Sequence, residues 1–151
     1  MSLEISEELY PVFATFCDET KEIRAEMTAD LLTMASRPET PGVFERIARN
    51  AHTLKGNSSS LGLDDVATLM HSVESLITEA VGRDGRLDSA TVDVVLSAVD
   101  EVLRRAEGIL ANRVDAGEIS AVQARIERML TGSEDQPHRP ATLSSPAQPG
   151  S

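Results

Sequence analysis

Apolar positions along the chain return every three or four residues in five successive runs. That is the period of a helix face, and no run alternates as a strand does. The first run, Leu9, Phe13, Phe16, Thr20, Ile23, Met27, Leu31 and Met34, predicts a long opening helix. It begins between Ser6, a candidate N-cap, and Pro11, which suits only a first turn, and it ends before Pro38. Thr40 and Pro41 are expected to cap and open a second helix that faces inward through Ile47, Ala51, Leu54, Ser58 and Leu61 and stops at Gly62. Asp64 is the expected cap of a third helix, with Val66, Leu69, Met70, Val73, Leu76, Ile77 and Ala80 buried before a turn from Gly82 to Gly85. Asp88 opens a fourth, whose stripe is Val92, Val95, Leu96, Val99, Val102, Leu103, Ala106 and Leu110. Its many β-branched valines do not outweigh the 3.6-residue period. A shorter fifth helix carries Ile119, Val122, Ile126, Met129 and Leu130 before Gly132.

Short connections between amphipathic helices favour antiparallel neighbours. The expected architecture is all-α: an up-down four-helix bundle over residues 1–132 with the fifth helix packed alongside or extending from it. From Ser133 the text "SEDQPHRPATLSSPAQPGS" is rich in Pro and Ser and nearly free of large apolar residues, so 133–151 reads as a flexible linker in which His138 is inert.

Aromatic residues make up only 3% of the 151 residues against 40% apolar overall, which fits a Leu/Val/Ala/Met core. A formal charge of −11 repels a phosphate backbone or an anionic membrane surface, so neither nucleic acid nor membrane is an expected partner. No apolar run reaches the length of a membrane span or signal-peptide core, and the single Cys17 has no disulfide partner; a cytoplasmic protein is expected. Cys17 reads as a small buried thiol. Residues 1–36 hold eight acidic and two basic residues, a net of −6 that reads as a solvated face.

The stretch "RNAHTLKGNSSSLGL", residues 49–63, carries the candidate chemistry. His52 falls about 100° to one side of the core position Ala51, at the border of solvent, with Lys55, Gly56 and Ser59 on the same flank. Glycine inside a helix costs roughly 1 kcal/mol relative to alanine, and here it clears space one turn from an imidazole. A neutral imidazole nitrogen is a nucleophile, and the lysine brings a flexible cation suited to a phosphoryl oxygen. On the third helix His71 and Glu74 lie outside the core stripe, where an antiparallel pair brings Glu74 to the histidine and fixes its tautomer. Three other readings are weighed on these residues. The first is a solvated surface pair, and the second a metal held by His52, His71 and Glu74, although di-iron bundles use a different motif. The third, Ser/His/Asp catalysis with the "NSSS" serines, lacks a nucleophile elbow.

The segment "AHTLKGNSSSLGL" resembles the phosphorylation-site helix of histidine phosphotransfer (HPt) domains, in particular the first domain of CheA-type chemotaxis histidine kinases. The likeness continues through "LMHSVESLI" and "GRLDSATVDVVLSAVDEVL", covering most of residues 5–130; "NSSS" departs from it, since the family often has more Gly and Ala there. The resemblance implies that His52 is the phosphoacceptor, that Glu74 orients its ring, and that Lys55 and His71 support the site. It also implies that a partner lies against Arg49, Gly56, Ser59 and Leu63. The implied phosphodonor is the ATP-binding domain of a histidine kinase, and the implied acceptor an aspartate of a CheY-like or CheB-like response regulator. ATP belongs to the first partner and Mg²⁺ to the second, with no cofactor bound in this chain and a monomeric isolated domain. No G-x-G-x-x-G or Walker loop occurs, so the chain is expected to be a carrier and not a kinase on its own. A bundle near Met1 followed by a Pro/Ser segment resembles the first domain of a larger kinase. The alternatives are a free-standing phosphorelay shuttle and a helical interaction or dimerisation module that carries no phosphate; a buried His52 or a Gly56 packed between helices would favour the latter.

Overall fold

A computed structural model of the chain describes residues 7–111 and 117–132, so Ser6 and the 133–151 segment with His138 lie outside the described residues. Five helices follow in order: α1 (Tyr10–Ser36), α2 (Val43–Ser60), α3 (Asp64–Asp84), α4 (Ser89–Leu110) and α5 (Gly117–Thr131). Successive helices from α1 to α4 pack side by side, α4 closes back onto α1, and α5 lies against α3 and α4. The expected all-α, up-down bundle with an added fifth helix is what forms. Its core is aliphatic and sulfur-rich: Met27, Leu31, Ile47, Leu54, Leu69, Met70, Val99 and Ile126 are fully buried, and Cys17 is buried in the same cluster. Among the described residues no helix is long and apolar enough to cross a membrane.

Polar rungs set the α1–α2 register. Asn57 donates to Glu19, Asn50 to Glu26, and Arg46 makes a two-pronged contact with Asp30 at 2.8 and 3.0 Å, so positions climb one helix as they descend the other. Asp30 is buried, and fork-to-fork pairing with a guanidinium is the geometry that best satisfies a buried carboxylate. Arg24 joins α1 to α4 through Asp100, Arg105 joins α4 to α3 through Asp65, and Gln123 ties α5 to α3 by donating to Ser72 at 2.8 Å.

Helix starts differ from the sequence reading at two places. Thr40 does not cap α2, because its hydroxyl donates backward to the Arg37 carbonyl at 2.8 Å; the cap position is Gly42 in the left-handed region at φ 81°. Asp64 is the first residue of α3 and not its cap, which is Leu63. Asp88 does cap α4, accepting from the Thr91 N–H at 2.8 Å. The third helix runs through Gly82 and stops at Gly85, at φ 73°. Leu9, expected in the core stripe, is exposed just before α1.

Candidate functional site

Residue α2 positions 52, 55, 56 and 59 share one flank because they are spaced by three and four, and the α2–α3 connection folds that flank beside α3. The link is tight: Gly62 takes a left-handed conformation at φ 77°, and the Leu63 N–H returns to the Ser58 carbonyl at 2.9 Å. Antiparallel packing then sets Glu74 opposite His52. His52 Nδ1 is 3.2 Å from Glu74 Oε2, and Lys55 Nζ is 2.8 Å from Glu74 Oε1, so one carboxylate holds both groups.

Electrostatics determine what this triad can do. Partial burial pushes the Glu74 carboxyl up, but the hydrogen bond and charge of Lys55, followed by those of His52, outweigh it and hold Glu74 below the usual carboxylate range. Glu74 is therefore ionised at neutral pH and can only accept a hydrogen bond. The proton of a neutral His52 ring must sit on Nδ1, which leaves the Nε2 lone pair free. His52 is 69% exposed while Glu74 is 23% exposed, so the carboxylate is sheltered and the ring it contacts is open to solvent. A cation developing on the ring during attack would lie beside a fixed carboxylate.

The other expected site residues fall around this triad. Gly56 lies one turn along α2, exposed, and a methyl group built on it meets no atom within 4 Å. His71 is exposed on α3 and lines a hollow with Lys55, Gly56 and Ser59, without a hydrogen-bond partner among the described residues. Arg49 is exposed and forms no ion pair among the described residues. Leu63 is half-buried and packed against the core, so little of it is offered to a partner. Counted from sequence, residues 44–60 form a local +2 from Arg46, Arg49 and Lys55 against Glu45. The structure corrects that picture: Arg46 is committed to Asp30 and Lys55 to Glu74, which leaves Arg49 as the free cation of that stretch. Among the described residues no group of three or more His, Cys, Asp or Glu side chains is arranged to hold a metal ion. None of the serines 58–60 hydrogen-bonds to His52; Ser58 is fully buried, with its hydroxyl unpartnered. Two residues of the hollow escaped the sequence reading, Ala67 and Thr68. Their signal is the α2–α3 register: with His52 opposite Glu74 and Lys55 near His71, stepping back along α3 puts 67 and 68 beside Ser59.

This antiparallel helical bundle, with a carboxylate-paired histidine on an open flank, has counterparts among known proteins. Residues 11–108 match the family model described as Hpt domain, and the chain belongs to that family. It is 31% identical over 94 residues to the sensor histidine kinase CheAY of Helicobacter pylori, covering 62% of this chain. To the chemotaxis protein CheA of Bacillus subtilis it is 30% identical over 112 residues, covering 74% of this chain. It spans only 12% and 17% of the lengths of those two relatives. Among solved structures, the phosphorylated P1 domain of CheA3 in complex with CheY6 from R. sphaeroides aligns with a TM-score of 0.67 at 25% identity, over 82% of this chain and 98% of that one. The CheA phosphotransferase domain from Thermotoga maritima aligns at 0.61 and 27% identity, over 70% of this chain and 99% of that one.

Proposed function

We propose that this chain is the phosphotransfer domain of a CheA-type signalling kinase, in which His52 accepts a phosphoryl group from an ATP-binding domain and passes it to an aspartate of a CheY-like or CheB-like response regulator. The observation that carries the reading is the 3.2 Å contact from His52 Nδ1 to a sheltered, ionised Glu74 while the ring stays exposed. In the first step the Nε2 lone pair attacks the γ-phosphorus of ATP, the bond to the leaving oxygen breaks, and ADP departs with that electron pair. The ring, still protonated at Nδ1, becomes cationic, and Glu74 compensates that charge. In the second step a receiver carboxylate oxygen attacks the phosphorus, and the N–P electron pair returns to Nε2. Lys55 and His71, on the same face, act as supporting groups, and Gly56 keeps the approach open. ATP belongs to the donor domain and Mg²⁺ to the receiver, and the chemistry is cytoplasmic.

The test is incubation with a CheA-type ATP-binding domain and γ-labelled ATP. The parent chain takes up an acid-labile, alkali-stable label and His52→Gln takes up none while keeping its helical content, because an exposed side chain contributes little packing. Label retained by the variant defeats the assignment. Glu74→Ala is expected to slow labelling by about tenfold to a hundredfold without abolishing it, since an orienting group is lost and the nucleophile is kept. Unchanged kinetics would remove Glu74 from the mechanism. An interaction module without phosphate is disfavoured by the two features that would have marked it: His52 is exposed, and Gly56 touches no other helix.

A further inference from the structure

We propose that the hollow between α2 and α3, one to two turns from His52, receives a carboxylate of the docking receiver, and that Thr68 and Ser59 thereby act as specificity residues for the acceptor step. The inference rests on the phosphotransfer reading above and adds a recognition site to it.

The hollow encloses about 420 Å³ and is lined by Lys55, Gly56, Ser59, Ala67, Thr68 and His71. Although the chain carries a charge of −11, no carboxylate lines this space. Every polar group around it can donate a hydrogen bond. Lys55 carries three N–H donors and meets one carboxylate oxygen, that of Glu74, while Ser59, Thr68 and His71 are exposed and have no hydrogen-bond partner among the described residues. A second hollow on the other side of α2, lined by Val12, Phe16, Glu19, Asn57 and Leu61 among others, is mostly apolar and contains a carboxylate of its own. The two flanks of the histidine helix are thus chemically opposite, and only the α2–α3 flank suits an anion.

Distance and desolvation connect this hollow to the reaction. At 1.5 Å per residue, Gly56 and Ser59 lie about 6 and 10 Å along α2 from His52. A protein that brings an aspartate onto the phosphorus of His52 covers about 800 Å² of this surface in an interface of standard size, which puts the hollow beneath it. Among the described residues nothing stands within 4 Å of a methyl group built on Gly56, so the approach over that position is open. Covering an ammonium and three donors strips their water, at a cost unless the partner supplies acceptors. A carboxylate supplies two oxygens and the opposite charge. The receiver of the proposed function takes the phosphoryl group on an aspartate, so the surface it brings to this flank carries carboxylate, the group the donors of the hollow match.

Thr68 is exposed on α3 and forms no hydrogen bond or ion pair with His52 or Glu74, so either sign of charge can be placed there while the His52–Glu74 contact is kept. The experiment compares Thr68→Glu and Thr68→Lys, side chains of similar length, using a CheY-type receiver as probe. Receiver affinity and transfer rate at subsaturating receiver are measured beside labelling by the ATP-binding domain, with a thermal melt on each variant. Thr68→Glu is expected to weaken receiver binding and slow transfer by about tenfold, an effect that shrinks at high salt, while His52 labelling stays within about twofold of the parent. Thr68→Lys is expected to bind the receiver at least as tightly as the parent. Equal weakening by both variants would mean simple obstruction and overturn the proposal. So would unchanged binding in Thr68→Glu, or equal slowing of the labelling step, which would assign the hollow to the donor domain. Failure of the parent chain to accept label at all would instead defeat the phosphotransfer reading itself.

Discussion

At the scale of single residues, two small side chains on α2 separate stability from function. Gly56 occupies a helix interior, where glycine is about 1 kcal/mol poorer than alanine, and an added methyl group meets nothing within 4 Å. Gly56→Ala is therefore expected to raise stability by up to about 1 kcal/mol in a urea melt, and Gly56→Arg to hold or raise helical content. The arginine variant should nevertheless transfer phosphate to a receiver far more slowly, because a long side chain now stands where the partner must approach. Transfer at the parent rate would show that the glycine is not there to admit a partner. Ser58 poses the reverse case. Its hydroxyl is fully buried without a partner, and such a group costs about 1–3 kcal/mol. Ser58→Ala should stabilise the chain by about 1 kcal/mol with phosphotransfer unchanged. A loss of stability would reveal a partner for the hydroxyl, such as a buried water.

At the scale of helices, what could be read from sequence divides along the line between local and tertiary causes. The start of α4 was legible because Asp88 and Thr91 complete a cap within four residues, needing nothing from elsewhere. Asp88→Ala should cost about 1 kcal/mol and fray the first turn of α4, which amide exchange at Thr91 would report. The start of α2 was not legible in the same way. Thr40 has the right chemistry for a cap, but the chain leaving α1 offers it the Arg37 carbonyl first, and Gly42 supplies the left-handed turn. The same division runs through the site. His52, Lys55, Gly56 and Ser59 share a flank by spacing alone, and the His71–Glu74 pair lies off the core stripe of its own helix, so both halves were visible separately. Their union at 3.2 Å and 2.8 Å, the spending of Arg46 on Asp30, and the placement of Thr68 beside Ser59 all depend on the α1–α2–α3 register. That register is fixed by buried packing and by rungs such as Asn50–Glu26, which no single-helix pattern contains.

At the scale of the whole molecule, two electrostatic effects oppose each other as acid is added. A chain of −11 repels itself, and protonating its carboxylates relieves that repulsion. Against this stand three carboxylates with pKa values lowered in the fold. For Asp65 burial pushes upward but the Arg105 hydrogen bond and charge prevail; for Glu74 burial is likewise overcome, first by Lys55 and then by His52; for Asp88 the Thr91 N–H holds the carboxylate directly. A group whose folded pKa lies below its unfolded value binds protons more readily in the unfolded chain. Its stabilisation is whole above the unfolded value, about 4, and drains away as pH falls toward the folded value. The diffuse repulsion is spread over exposed charges and is screened within about 8 Å at physiological salt, whereas the three contacts are at hydrogen-bond distance and are screened less. Local pairing should therefore prevail. The urea midpoint is expected to stay level from pH 8 to about pH 5 and to fall below about pH 4, with a shallower fall in Glu74→Gln, which has no charge there to lose. A midpoint that rises on acidification at physiological salt would mean that self-repulsion governs the fold, and that the carboxylate holding His52 and Lys55 is not among the groups that stabilise it.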